Sequence, residues 1–73
     1  MMNRVTIRTE YIKLGQFMKY VGIIGNGAEA KDAILTSKVL VNGEHETRRG
    51  RKLYPGYSVS VDNKEYCIEN DQD

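Results

Sequence analysis

The sequence predicts a small α+β domain: an N-terminal strand, two packed helices, then a short antiparallel β meander. Three observations carry that prediction. Polar and apolar residues alternate over 4–9 and again over 57–61, the period of a half-buried strand. Between them Leu14, Phe17, Met18 and Val21 recur at i, i+3, i+4 and i+7, the stripe of an amphipathic helix. Two turn dipeptides, Asn42-Gly43 and Pro55-Gly56, then divide the second half at strand-like spacing.

The elements follow in chain order. Val5, Thr6, Ile7 and Thr9 are β-branched, so 4–9 is expected as the first strand. A helix is expected over 14–21, weakened at Gly15 by about 1 kcal/mol relative to Ala and closed by Gly22 as a left-handed cap. Residues 23–27 form a linker. Asn26 has the chemistry of an N-cap, and Glu29 three positions on completes a capping-box pattern. The second helix should start at Gly27 or Ala28 and end at Thr36, with Ala30, Ala33, Ile34 and Ser37 on one arc. If it reached Lys38, Lys31 and Lys38 would share a stripe two turns apart. From Val39 the period changes. Val39-Leu40-Val41 is a strand, Asn42-Gly43 a hairpin turn, and 44–47 the return strand. Pro55-Gly56 sets a type II turn, 57–61 a strand, Asp62-Asn63-Lys64 a turn, and 65–68 the last strand.

Seventy-three residues allow one domain with a small core. The reading is one domain over 1–69 and an acidic tail over 70–73, expected to be disordered. A single cysteine, Cys67, cannot form an internal disulfide, which favours a reducing cytoplasm; within its strand it is expected to be a buried small residue. No apolar run of about 18 residues suggests a membrane span or an export signal. His45 is the only histidine, and its neighbours Glu44 and Glu46 alternate across a strand, so no metal site is expected. Neither a phosphate-binding GxxxxGK loop nor a dinucleotide fingerprint occurs. No cofactor and no catalysis are expected.

The net charge of +1 hides an asymmetry. Residues 1–61 carry ten Lys/Arg against five Asp/Glu; residues 62–73 carry one Lys against five Asp/Glu. Distribution, more than total, decides which partner a face attracts. Arg48, Arg49, Arg51 and Lys52 fall within five positions around Gly50, just after the hairpin signal. Guanidinium groups bind phosphate bidentately, and a glycine lets the backbone bend along a polyanion. The plain alternative is a solvated charged loop. Lys13, Gln16, Lys19 and Tyr20 lie off the apolar arc of the first helix, and Tyr54 is the tyrosine best placed to stack on a base.

Four short motifs in order resemble the S4-type RNA-binding domain, whose pattern runs R-L-D-x-x-L, Gly, S-R-x-x-A, V-x-V-N-G and a later x-G-D-x-[IV]. Lys13-Leu14-Gly15 stands at R-L-D, with Phe17-Met18 the apolar pair and Gly22 the glycine. Asn26-Gly27-Ala28-Glu29-Ala30-Lys31 stands at S-R-x-x-A-K, and Val39-Leu40-Val41-Asn42-Gly43 matches V-x-V-N-G. Pro55-Gly56-Tyr57-Ser58-Val59 matches the late motif with Tyr for Asp. The resemblance covers 13–61 and is strongest to small stand-alone bacterial members of the YaaA and YbcJ type. It implies a non-catalytic cytoplasmic protein that binds folded RNA; a monomer is the expectation, though the sequence does not fix the oligomeric state. The RNA would be ribosomal, met in ribosome assembly or on ribosomal particles. The implied contacts on the helical side are Lys13, Lys31 and the backbone at Gly27, with Asn26 and Lys38 as further candidates there. Gly27 replaces the family's Arg, leaving only a backbone N–H there. Arg48, Arg49, Arg51 and Lys52 are expected to supply the missing charge from the sheet side. The alternative reading is a protein-interaction module docking an acidic surface through the basic segment.

Overall fold

Alternation at the N-terminus produces strand β1, Met2–Ile7, with Val5 and Ile7 facing inward. The structure, a computed structural model, describes residues 2–71, and of Gly27 only the backbone; Met1, Gln72 and Asp73 of the expected domain and tail lie outside the described residues. A two-residue strand β2, Ile12–Lys13, leads into helix α1, Leu14–Tyr20. A 3₁₀ turn over Gly27–Glu29 leads into helix α2, Ala30–Thr36. The strands β3 (Val39–Val41), β4 (Glu44–His45), β5 (Lys52–Leu53), β6 (Ser58–Val61) and β7 (Lys64–Asn70) follow. This is the expected α+β order.

The pairing adds what the order alone does not show. The main sheet runs β1-β7-β6-β3-β4. Its β3, β4, β6 and β7 pair antiparallel, as a meander should, but β1 joins β7 in parallel, Val5 opposite Ile68. The sheet is therefore mixed, and everything between β1 and β7 is one long crossover. A separate ribbon pairs β2 with β5, Ile12 opposite Leu53 and Lys13 opposite Lys52.

The inner face of the sheet packs on the helices in two layers. Leu14, Phe17 and Met18 of α1 are fully buried, with Ala30 and Ile34 of α2 and Val39, Val41, Val59, Val61, Tyr66 and Ile68 of the sheet. Phe17 meets Tyr66 edge-on at 5.1 Å between ring centroids, a favoured aromatic geometry. Cys67 lies between the inward-facing Tyr66 and Ile68, so it points to the other face and is only half-buried, not the core residue expected.

The turns form as their residues dictate. Ile23 N–H bonds Met18 C=O at 2.9 Å and Gly22 N–H bonds Lys19 C=O at 3.1 Å. With Gly22 at φ +83°, this is a Schellman ending to α1. Asn42 and Gly43 both have positive φ, as do Asp62 and Asn63, so each pair forms a two-residue primed turn. Tyr57 N–H bonds Tyr54 C=O at 3.0 Å across Pro55-Gly56, with Gly56 at φ +96°, a type II turn.

Several boundaries differ from expectation. β1 starts and stops two residues earlier, because its register follows β7 over Met2–Ile7. β4 ends at His45, because Glu46 turns its side chain back on the following backbone. α2 starts at Ala30, after the 3₁₀ turn, and ends at Thr36 as expected, so Lys38 is not on a helical stripe with Lys31. It immediately precedes β3, its N–H on Asp62 Oδ1 at 2.8 Å and its C=O receiving Asp62 N–H at 2.9 Å. The first part of the tail is ordered: Asn70 ends β7, and Asp71 donates its N–H to Ile7 C=O at 2.9 Å.

Among the described residues no helix is long and apolar enough to cross a membrane.

Candidate RNA interface

The basic segment is a folded strap, not a free loop. Its organiser is Glu46, 6% exposed and the one buried charged residue among those described. Glu46 Oε2 accepts Thr47 N–H at 3.1 Å, Arg48 N–H at 2.9 Å and Arg48 Nε at 3.0 Å. Its Oε1 accepts Arg48 Nη2 at 3.2 Å and Arg51 Nη1 at 3.1 Å. A carboxylate with this many donors is held ionised. The Arg48 side-chain bonds outweigh burial, which works the other way, and with the backbone bonds lower its pKa from 4.5 to about 2. The same contact raises the Arg48 guanidinium.

The strap in turn closes onto α1. Leu14 N–H bonds Arg51 C=O at 2.8 Å, and Gly15 N–H bonds Arg49 C=O at 2.9 Å. These carbonyls meet two of the helix's otherwise unpaired first-turn amides. Gln16 Oε1 accepts the Lys13 N–H at 3.3 Å. Gly15 is where three segments converge: a Cβ there would sit 3.4 Å from Ala30 Cβ and 3.6 Å from Arg49 Cβ.

Around this junction lies a cleft of about 440 Å³ lined by Lys13, Gly15, Gln16, Lys19, Ala30, Arg49 and Gly50. Among the described residues three cations line it and no acid does. Lys31 follows Ala30 and is exposed on the first turn of α2. Lys52 stands directly across the ribbon from Lys13, so their side chains share a face. Like charges placed opposite one another destabilise a strand pair. The Lys52 ammonium lies 4.8 Å from the Tyr11 ring centroid, a cation–π contact that offsets part of that cost.

The sequence candidates therefore separate. Lys13 and Arg49 meet in the cleft, with Lys31 and Lys52 at its borders. Arg48 and Arg51 are tied to Glu46; Arg51 is the more enclosed, with 29% of its side chain exposed and its guanidinium 5.9 Å from the Tyr57 ring centroid. Asn26 caps the 3₁₀ turn, its Oδ1 accepting Ala28 N–H at 2.9 Å, while Glu29 Oε1 accepts the N–H groups of Gly25 and Asn26. The capping pair read from the sequence is thus present one turn before α2 proper, and it places Gly27 within that turn. Lys38 lies outside the cleft lining. Lys19, on the polar face of the first helix in the sequence, shares the cleft with Arg49 through the strap's fold. Tyr54, the expected stacking residue, is half-buried and packs its ring against Tyr11 at 5.6 Å and Tyr57 at 5.7 Å.

A cation-lined cleft at the junction of two short helices and a mixed sheet defines a small α+β module with an anion-facing surface. The S4 domain model matches residues 5–69, and the chain belongs to that family. It is also similar to the probable ribosome maturation protein RlbA of Bacillus subtilis (strain 168), 47% identical over 62 residues, covering 85% of this chain and 87% of that protein.

Proposed function

We propose that this domain binds folded RNA through its phosphates without catalysing a reaction. We further propose that the RNA is ribosomal, bound in the cytoplasm by a monomer during ribosome assembly or on ribosomal particles. One observation carries the first part: Lys13, Lys19 and Arg49 line one cleft without an acid, and Lys52 faces Lys13 at its edge. Such a cluster is relieved by a polyanion. A-form RNA has a deep, narrow major groove, so a surface of this kind reads phosphate position and shape. The maturation role in the name of the similar Bacillus subtilis protein supports the second part.

In this reading Lys13, Lys19, Lys31, Arg49 and Lys52 touch phosphates, and Arg48 adds its exposed side. Arg51 holds the strap, Asn26 and Gly27 shape the entry to α2, and Lys38 contributes only to a target that extends past the cleft. Each phosphate contact adds about one to the slope of log affinity against log salt. In filter binding across several salt concentrations, Arg49→Ala and Lys13→Ala should each lower that slope by about one. Arg51→Ala should leave it nearly unchanged. An unchanged slope in both of the first two variants removes the cleft from the RNA surface. Crosslinking in cells followed by sequencing should enrich ribosomal RNA; enrichment of messenger RNA alone would overturn the ribosomal assignment.

A further inference from the structure

Beyond Lys19 the cleft continues into a second depression of different chemistry. It has a volume of about 530 Å³ and is lined by Thr9, Tyr11, Ile12, Gln16, Lys19 and Tyr20. Gln16 and Lys19 line both depressions, so a ridge of two side chains is all that separates them. One side offers cations; the other offers aromatic and aliphatic walls.

Tyr20 is the exposed feature of this groove. It is 64% exposed, the most of any large apolar or aromatic side chain among the described residues. Tyr11, Tyr54 and Tyr57 pack on one another and Tyr66 packs on Phe17, whereas Tyr20 makes no ring contact among the described residues. It stands four residues after Gln16 on α1, and helical side chains lean toward the N-terminus, so the ring covers the turn that carries Gln16. Gln16 Oε1 is taken by the Lys13 N–H, which leaves its amide NH₂ as a donor on the ridge.

We propose that this groove takes one unstacked nucleobase of the bound RNA, with the adjoining phosphate in the cation cleft. This rests on the RNA reading and assigns a second subsite to it. A nucleotide joins an anion and a flat π-face one sugar apart, and the two depressions offer their complements side by side. Neither lining includes an acid that would repel the backbone. A paired base in an A-form helix cannot enter, so the groove gives the domain a preference for a bulge or loop within folded RNA.

The probe is a pair of RNA hairpins with one stem sequence, one fully paired and one carrying a single bulged adenine. By fluorescence anisotropy at fixed salt, the wild-type chain should bind the bulged hairpin roughly five- to a hundredfold more tightly, the range of stacking one base on an aromatic ring. Tyr20→Ala should bring the bulged hairpin to the paired level, with paired affinity and salt slope unchanged. Tyr20→Phe should keep the preference. The chain has no Trp, so Tyr20→Trp gives a single reporter whose emission should be quenched by the bulged hairpin and not by the paired one. Equal wild-type affinity for the two hairpins, or a preference that survives Tyr20→Ala, overturns the groove and leaves the cation cleft standing. Failure of both hairpins to bind at low salt overturns the RNA reading and the groove with it.

Discussion

A carboxylate two residues before one arginine and five before another does more to shape this surface than any of the cations. In the sequence Glu46 reads as a strand residue beside a run of positive charge, and the run reads as four equivalent phosphate ligands. The sequence does not say that Glu46 turns inward and recruits Arg48 and Arg51, which makes the four cations unequal. Arg49, between them, is left to face the cleft. Glu46→Gln keeps the shape and removes the charge. It should cost about 2–3 kcal/mol at neutral pH in urea denaturation, because two guanidinium groups lose their anion in a partly buried site. The pH dependence follows from the depressed pKa. The unfolded chain takes up a proton near 4.5 and the folded one only near 2, so this contribution is complete above 4.5 and fades as pH falls toward 2. Wild type should thus lose more stability than Glu46→Gln between pH 5 and pH 2.5. Parallel loss in both proteins would show that the clamp carries no such energy.

Among the elements, those set by local chemistry were legible. The α1 stripe, the Gly22 cap, the Asn42-Gly43 hairpin and the Pro55-Gly56 turn each depend on residues within a few positions of one another, and each formed. The β2·β5 ribbon did not announce itself. Two-residue strands have no period, and their pairing depends on where the strap crosses α1. The first turn of α1 gives a direct test of local against tertiary control. Gly15 lies in the helix without a positive φ, whereas Gly22 has φ +83° and open space around its missing Cβ. Gly15→Ala should therefore stabilise by about 0.5–1 kcal/mol through helix propensity, its methyl in ordinary contact with Ala30 and Arg49. Gly22→Ala should destabilise by about 1–2 kcal/mol, because an L-residue is strained there. Thermal melts followed by circular dichroism would read opposite shifts, each of several degrees in a domain of this size. A lowered Tm for Gly15→Ala would mean that the strap and α2 cannot give by the small amount the methyl asks.

At the scale of the whole molecule, the modest net charge hides separate pairings. Arg8 Nε meets Asp71 at 2.8 Å and Arg4 Nε lies 3.6 Å from Glu69, so these two acids pair with Arg4 of β1 and Arg8 just past it. Among the described residues no ion pair covers Lys13, Lys19 or Arg49. The asymmetry was visible in the sequence; its resolution was not, because β1 and β7 are at opposite ends of the chain and nothing local predicts a parallel pairing between them. That pairing closes the fold. β1 supplies Val5 and Ile7 to the core and covers the edge of the seven-residue β7. Deleting residues 1–7 should expose a long row of unpaired strand amides and carbonyls beside Tyr66 and Ile68, a template for pairing with another chain. The two lost side chains each contribute about 1.5–3 kcal/mol of burial, a large share of the roughly 4–11 kcal/mol expected for a domain of this length. The truncated chain should elute as oligomers in size-exclusion chromatography and lose its cooperative melt. Salt-dependent RNA binding should be lost with it, because α1 packs on the sheet that β1 completes. A monomeric truncated chain melting within a few degrees of wild type would show that β1 is an ornament on an autonomous core of residues 13–61.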